Sequence, residues 1–182
     1  MSYVNKTEYM IIPTNTFNIL RGCAGCGYKQ TFICKENFRV NANGNFLDVW
    51  LIYGCNKCGH TYNLPIYERI KADKIPKNEY QSFIENDKKT LFRYGTDKSV
   101  FTKNRAEIDW KTVEYKVTPI TENKPDFSKM PVLIELYNFC DIPVRTDKIA
   151  ADILQISRSK ITQLVNEELL SVNMLKGKEI IQ

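Results

Sequence analysis

Two C-x-x-C-G turns constrain this chain more than any other feature. The first reads Cys23-Ala24-Gly25-Cys26-Gly27 and the second Cys55-Asn56-Lys57-Cys58-Gly59. Two intervening residues let both thiolates of a turn face one ion, while the backbone N–H groups of the turn remain free to hydrogen-bond the sulfurs. Glycine after the second cysteine suits a backbone that must pass through positive φ. Four thiolates make a closed tetrahedral set with no open position. The pattern therefore predicts one structural Zn2+ on Cys23, Cys26, Cys55 and Cys58, with Zn–S distances of about 2.3 Å. Chance pairs or a redox dithiol are the blander alternatives. Two copies, each followed by glycine and joined by a plausible hairpin, argue against both.

Between the turns, Asn41-Ala42-Asn43-Gly44-Asn45 is the strongest hairpin signal in the chain, because Asn and Gly tolerate left-handed backbone angles. Phe38 and Val40 lead into it, and the run Phe46 to Tyr53 leads out of it to Cys55. In that second strand Phe46, Trp50 and Ile52 point one way and Leu47, Val49, Leu51 and Tyr53 the other, with Asp48 the only polar residue. A strand apolar on both faces is expected to be covered on both, which makes Trp50 a core residue and embeds the ribbon in a larger antiparallel sheet. His60 is read as an ordinary strand residue, a spare beside four thiolates.

A length of 182 residues and a hydrophobic content of 43% describe an ordinary folded protein of one medium or two small domains. No run of 18 apolar residues appears and the first residues lack a signal-peptide layout, so a cytoplasmic protein without membrane contact is expected. Cys34 and Cys140 lie among apolar residues and read as core thiols. The formal charge of +5 is concentrated in the N-terminal half. Four thiolates with one Zn2+ would remove part of that surplus, so net charge alone does not argue for nucleic acid.

Elsewhere, Glu8 to Pro13 and Phe17 to Arg21 read as opening strands. After Pro65 the chain is expected to turn helical, with one helix starting near Pro76 and another capped by Asp87 and ending at Gly95. Ile108 to Val117 alternates like an exposed strand. Residues 121–131, with Pro125 and Pro131, look like a linker, which divides the chain into a zinc-ribbon α+β domain, 1–125, and a small domain, 126–182. In the latter, Ile149, Ala150, Ile153 and Leu154 form one helical face and Ile161, Leu164, Val165 and Leu169 another, with Ser157 as N-cap of the second helix. Two short helices joined by a tight turn make a helix-turn-helix shape. Core packing explains the apolar positions but not the gathering of Arg145, Lys148, Arg158 and Lys160 at the helix starts.

The segment Arg145-Thr146-Asp147-Lys148-Ile149, with Ile156 to Lys160 and Leu164 to Asn173, resembles the alpha-L RNA-binding motif named after small-subunit ribosomal protein four. Gly177-Lys178-Glu179-Ile180 resembles the motif's closing strand. The resemblance implies that Arg145, Lys148, Arg158 and Lys160 meet an RNA backbone. Three positions depart from the motif: Thr146 replaces a leucine, and Glu168 and Met174 replace glycines. Nearly the whole chain is also similar to a bacterial family known only as a domain of unknown function, in which the two CxxC pairs, Phe38 to Gly44 and Leu47 to Tyr53 recur together. That similarity supplies no activity.

The sequence thus predicts an α+β protein: a zinc-ribbon hairpin embedded in an antiparallel-sheet domain, then a small alpha-L-like domain containing the helix-turn-helix. The expected function is non-enzymatic binding of structured RNA, ribosomal or transfer RNA in kind. A DNA-binding regulator is the first alternative, because residues 148–169 also fit a repressor's helix-turn-helix. A protein-interaction adaptor is the second. No phosphate loop, nucleophile elbow or paired-carboxylate motif points to an enzyme.

Overall fold

The computed structural model describes residues 5–120 and 131–176. In chain order these form β1 (Asn5–Pro13), β2 (Ile19–Gly22), β3 (Lys29–Asn43), β4 (Phe46–Cys55), β5 (Thr61–Lys71), α1 (Lys77–Ile84), α2 (Lys88–Thr96), α3 (Lys98–Lys103), β6 (Glu107–Ile108), β7 (Tyr115–Pro119), β8 (Val132–Tyr137), α4 (Thr146–Leu154), α5 (Arg158–Asn166) and β9 (Leu170–Leu175). They group into two compact units, Asn15–Glu114 and Met1–Thr14 with Tyr115–Gln182. The fold is mixed α+β. The strand read at Glu8 to Pro13 forms, but its partners are β7 and β8, so it belongs with the C-terminal segment. The linker read at 121–131 lies, but for Pro131, outside the described residues.

The Asn15–Glu114 unit is built on a five-stranded sheet in the order β5-β4-β3-β2-β6, every neighbouring pair antiparallel. The β3–β4 hairpin is its spine. Its turn is where the Asn/Gly signal put it, with Gly44 at φ 58°, a conformation that costs a side chain strain and glycine none. The helices begin as their caps foretell: Pro76 precedes α1, and the Asp87 carboxylate accepts from the Thr90 N–H that opens α2.

One face of the sheet carries the core. Val49, Leu51 and Tyr53 of β4 are fully buried, as are Phe17, Phe83 and Phe101. Phe83 of α1 meets Phe38 of β3 edge-on at 4.9 Å, and Phe17 lies 5.8 Å from Phe101 of α3. The Tyr53 hydroxyl, deep in this layer, donates to the Phe17 carbonyl at 2.9 Å, which removes the cost of burying it unpaired.

The opposite face corrects an expectation. Phe46 is 38% exposed and Trp50 and Ile52 are half-buried, so Trp50 is not a core residue. Long cations screen this side in place of a second layer: the Arg39 guanidinium sits 5.9 Å from the Trp50 ring centre and that of Arg69 5.8 Å from Phe46. Two other expectations also change. The chain does not turn helical after Pro65, because β5 runs straight through it. Among the described residues β5 pairs only with β4, and proline is tolerated on an edge strand because its missing N–H breaks no ladder. Ile108 to Val117 is not one strand either. Buried Asp109 donates its N–H to the Asn18 carbonyl and accepts from the Thr31 hydroxyl, and a 3-10 turn at Trp110–Thr112 follows, so the segment divides between β6 and β7.

The other unit is a four-stranded mixed sheet in the order β7-β1-β8-β9, with β1 antiparallel to β7 and parallel to β8, and β8 parallel to β9. Parallel neighbours need a crossover, and α4 and α5 supply it between β8 and β9. Ile149, Ala150, Leu154, Ile161 and Leu164 are buried from the helices, Ile134, Leu136 and Leu170 from the strands. Asn138, itself buried, exchanges two hydrogen bonds with the backbone of Ile142 and so shapes the loop that leads to α4.

One-sided coverage sets the order of two substitution costs. Leu51→Ala is expected to lower unfolding stability by about 2–5 kcal/mol, in the range for deletion of a buried leucine. Trp50→Ala should cost clearly less. Denaturant titration of both variants checks this, and a larger loss for Trp50→Ala would show that the Trp50 face is covered.

Candidate functional site

The two cysteine turns lie at the same end of the sheet, one between β2 and β3 and the other between β4 and β5. Each is a repeat of one local structure. In the first, the N–H groups of Cys26 and Gly27 both donate to the Cys23 carbonyl, at 3.2 and 2.8 Å; in the second, the Gly59 N–H donates to the Cys55 carbonyl at 2.9 Å. Gly27 and Gly59 take φ values of 78° and 74°, which is why glycine follows each pair. The flanking strands close both turns through Cys23 N–H to the Tyr28 carbonyl and Cys55 N–H to the His60 carbonyl. Outside the sulfurs, the Lys57 ammonium reaches the Tyr28 hydroxyl and clasps one turn to the other.

All four sulfurs lie within 4.8 Å of one another, with Cys23 to Cys58 at 3.4 Å and Cys26 to Cys55 at 3.9 Å. A tetrahedron with metal–sulfur bonds of about 2.3 Å has edges of about 3.8 Å, so the cluster is sized for one metal ion. Its protonation chemistry fits as well. Burial pushes the Cys55 thiol up, but hydrogen bonds from the N–H groups of Cys58 and Lys57 and from the Cys23 and Cys58 thiols together outweigh it and bring it to about 6. Burial and the neighbouring thiols push Cys26 up to about 12. Four ionised thiols this close repel one another, and a bound cation is what allows all of them to ionise together. Gly25 faces the cluster, where a Cβ would sit 3.0 Å from the Cys58 sulfur. His60 is exposed and supplies only its backbone carbonyl.

The four basic residues singled out from the sequence lie at the starts of α4 and α5, all exposed. Two of them converge. Arg145 directs Nε and a terminal nitrogen at the Asp147 carboxylate, at 3.2 and 2.9 Å, and Arg158 adds bonds of 2.7 and 2.8 Å to Asp147 Oδ2. Hydrogen bonds from Arg145 and then Arg158 hold the Asp147 carboxyl down at about 2. Lys148 is not drawn into this cluster. Lys160 turns instead to Gln163, at 3.0 Å, while its backbone N–H receives the expected cap from Ser157. Beside Asp147 opens a cleft of about 260 Å3, lined by Thr146, Thr162 and Asn166 over Ile161 and Val172. Asp147 was the residue to notice in the sequence: an acid in the first turn of a helix, two residues after Arg145, placed to gather arginines.

Residues 40–176 match the family described as protein of unknown function (DUF1062). The chain belongs to that family. The DUF1062 match begins downstream of Cys23 and Cys26, and includes the second cysteine turn and both α4 and α5. No curated protein and no solved structure matches the chain. Among the described residues, no helix is long and apolar enough to cross a membrane.

Two measurements follow from this geometry. Purified protein should carry one metal ion per chain by elemental analysis, and Cys55→Ser should abolish its retention. The Asp147 contact should be fully present above pH 4, the ordinary carboxylate range, and fade as pH falls toward about 2, because a carboxyl whose pKa is depressed on folding loses its stabilising charge on protonation. NMR titration of the Asp147 carboxyl reads this directly, and a midpoint near 4 would contradict the pairing.

Proposed function

We propose that this is a non-catalytic protein in which one structural Zn2+, held by Cys23, Cys26, Cys55 and Cys58, organises a ribbon-containing unit, and in which the starts of α4 and α5 bind structured RNA of ribosomal or transfer type. Zinc is favoured by a donor set of four thiolates at tetrahedral spacing with no position left for a substrate. The observation that carries the RNA reading is the convergence of Arg145 and Arg158 on Asp147. The shared carboxylate fixes two guanidinium forks at adjacent helix starts, where N-terminal N–H groups also favour anions. Lys148 and Lys160 extend the positive surface on either side.

A backbone detail supports the likeness to the alpha-L motif. Glu168, which stands where that motif has glycine, adopts φ 58°. A glycine fits that left-handed position without strain, and here a glutamate occupies it at a cost of roughly 1–2 kcal/mol. The motif's closing strand, read at Gly177 to Ile180, lies outside the described residues.

The DNA reading has one specific support, the polar exposed face of α5, where Ser159, Thr162, Gln163 and Asn166 have the lengths and donors used on base edges.

For the RNA reading, Arg145→Ala and Arg158→Ala should each weaken binding to folded RNA alike across sequences and reduce the slope of log affinity against log salt by about one. Glu168→Gly should raise affinity by removing a negative charge, and raise stability by up to ~1 kcal/mol once the extra chain entropy of glycine is subtracted from the relieved strain. Filter binding and thermal melting measure both. Loss of sequence preference on Gln163→Ala, with RNA affinity untouched, would favour DNA instead.

A further inference from the structure

The open face of the Asn15–Glu114 sheet has a chemistry that the metal site and the helix starts do not use. On β4, Phe46 and Trp50 stay partly exposed while the alternate residues Leu47, Val49 and Leu51 are buried. Strand register puts Arg39 opposite Trp50, Asn43 opposite Phe46 and Asn41 opposite Asp48, and puts Lys71 of β5 opposite Phe46. The guanidinium groups of Arg39 and Arg69 lie over the two rings, 5.9 and 5.8 Å from their centres, on long exposed side chains that can turn to phosphates as a base takes the ring face. Lys35 stretches along the same face over Gly54, where its Cε occupies the place of the missing Cβ. Asp48 is the one carboxylate among these, and it is already engaged by the Arg69 backbone N–H at 2.7 Å. Glu36 and Glu68 lie in the irregular stretches of β3 and β5, where the ladder is broken.

We propose that this face binds single-stranded nucleic acid, with Trp50 and Phe46 as base-stacking platforms and Arg39, Arg69, Lys35 and Lys71 as phosphate contacts. Three features select this occupant. Flat rings on one face of a single strand, with Asp48 between them, suit unpaired bases, which offer a π-face whatever their identity. Asn41 and Asn43, exposed beside the rings, carry both donors and acceptors for base edges. The four cations Arg39, Arg69, Lys35 and Lys71 outnumber the carboxylates of these strands, Asp48, Glu36 and Glu68, which suits a polyanion and opposes a second copy of the same face, since two copies would set arginines and lysines against each other. A duplex keeps its bases stacked on one another and cannot use the rings. The surface lies in the metal-bearing unit and does not depend on the RNA reading of α4 and α5.

The test is fluorescence anisotropy of the metal-loaded full chain with labelled twelve-nucleotide oligouridine, oligothymidine and a duplex of equal length. Both single strands should bind more tightly than the duplex, because stacking does not read the sugar. Trp50→Ala should weaken single-strand binding roughly tenfold or more, the range for loss of one stacked base. Arg39→Ala combined with Arg69→Ala, both exposed and harmless to the core, should reduce the salt slope by roughly 0.7 for each arginine. Preference for the duplex, absence of binding, or wild-type affinity and salt slope in the folded Arg39→Ala/Arg69→Ala protein would each overturn the proposal. So would loss of single-strand binding in the Arg145→Ala/Arg158→Ala protein alone.

Discussion

Closure of the four cysteine sulfurs is the constraint on which the Asn15–Glu114 unit depends. The turns at Cys23 and Cys55 are each short, glycine-ended and exposed at their tips, and neither buries enough apolar surface to fix itself. What joins them is a set of sulfur contacts of 3.4 to 3.9 Å and one exposed Lys57–Tyr28 clasp. An exposed clasp of that kind contributes little. A metal bound to four thiolates is a different order of interaction, comparable to the whole stability of a small domain. Once the turns are tied, β2 is set against β3 and β5 against β4, and the core face of the sheet is presented to α1, α2 and α3.

The sequence made this part legible because its signals are local. Cysteine spacing, the glycine after each pair, the Asn43-Gly44 turn and the caps at Pro76 and Asp87 all act within a few residues, and each is found where its chemistry requires. What was not legible is set by partners distant in the chain. Nothing in Glu8 to Pro13 says that β1 lies between residues 115–119 and 132–137. Proline at 65 looked like the end of a strand because only topology makes β5 an edge. The run from Phe46 to Tyr53 looked like a strand covered on both sides. Periodicity counts apolar residues and cannot tell a second packed layer from long arginines folded down over aromatic rings.

The two units divide the remaining chemistry between them. At the helix starts, Asp147 holds two arginines in place, which would lower the entropy lost on binding the proposed phosphates but also neutralises part of their charge. On the open sheet face, the arginines lie over aromatic rings and keep their full charge. The first arrangement suits an ordered, folded anion whose phosphates arrive at fixed spacing. The second suits a flexible strand whose bases turn outward. Four thiolates on one ion would leave it no open coordination position, which suits a structural metal.

The central claim is that a closed four-thiolate metal site holds the ribbon together. X-ray absorption at the zinc edge of the purified protein tests it most directly. Four sulfur neighbours at about 2.3 Å, lost together with sheet structure when the metal is stripped, are the result expected. A mixed nitrogen and oxygen shell, or a sheet that keeps its full stability without the metal, would contradict it.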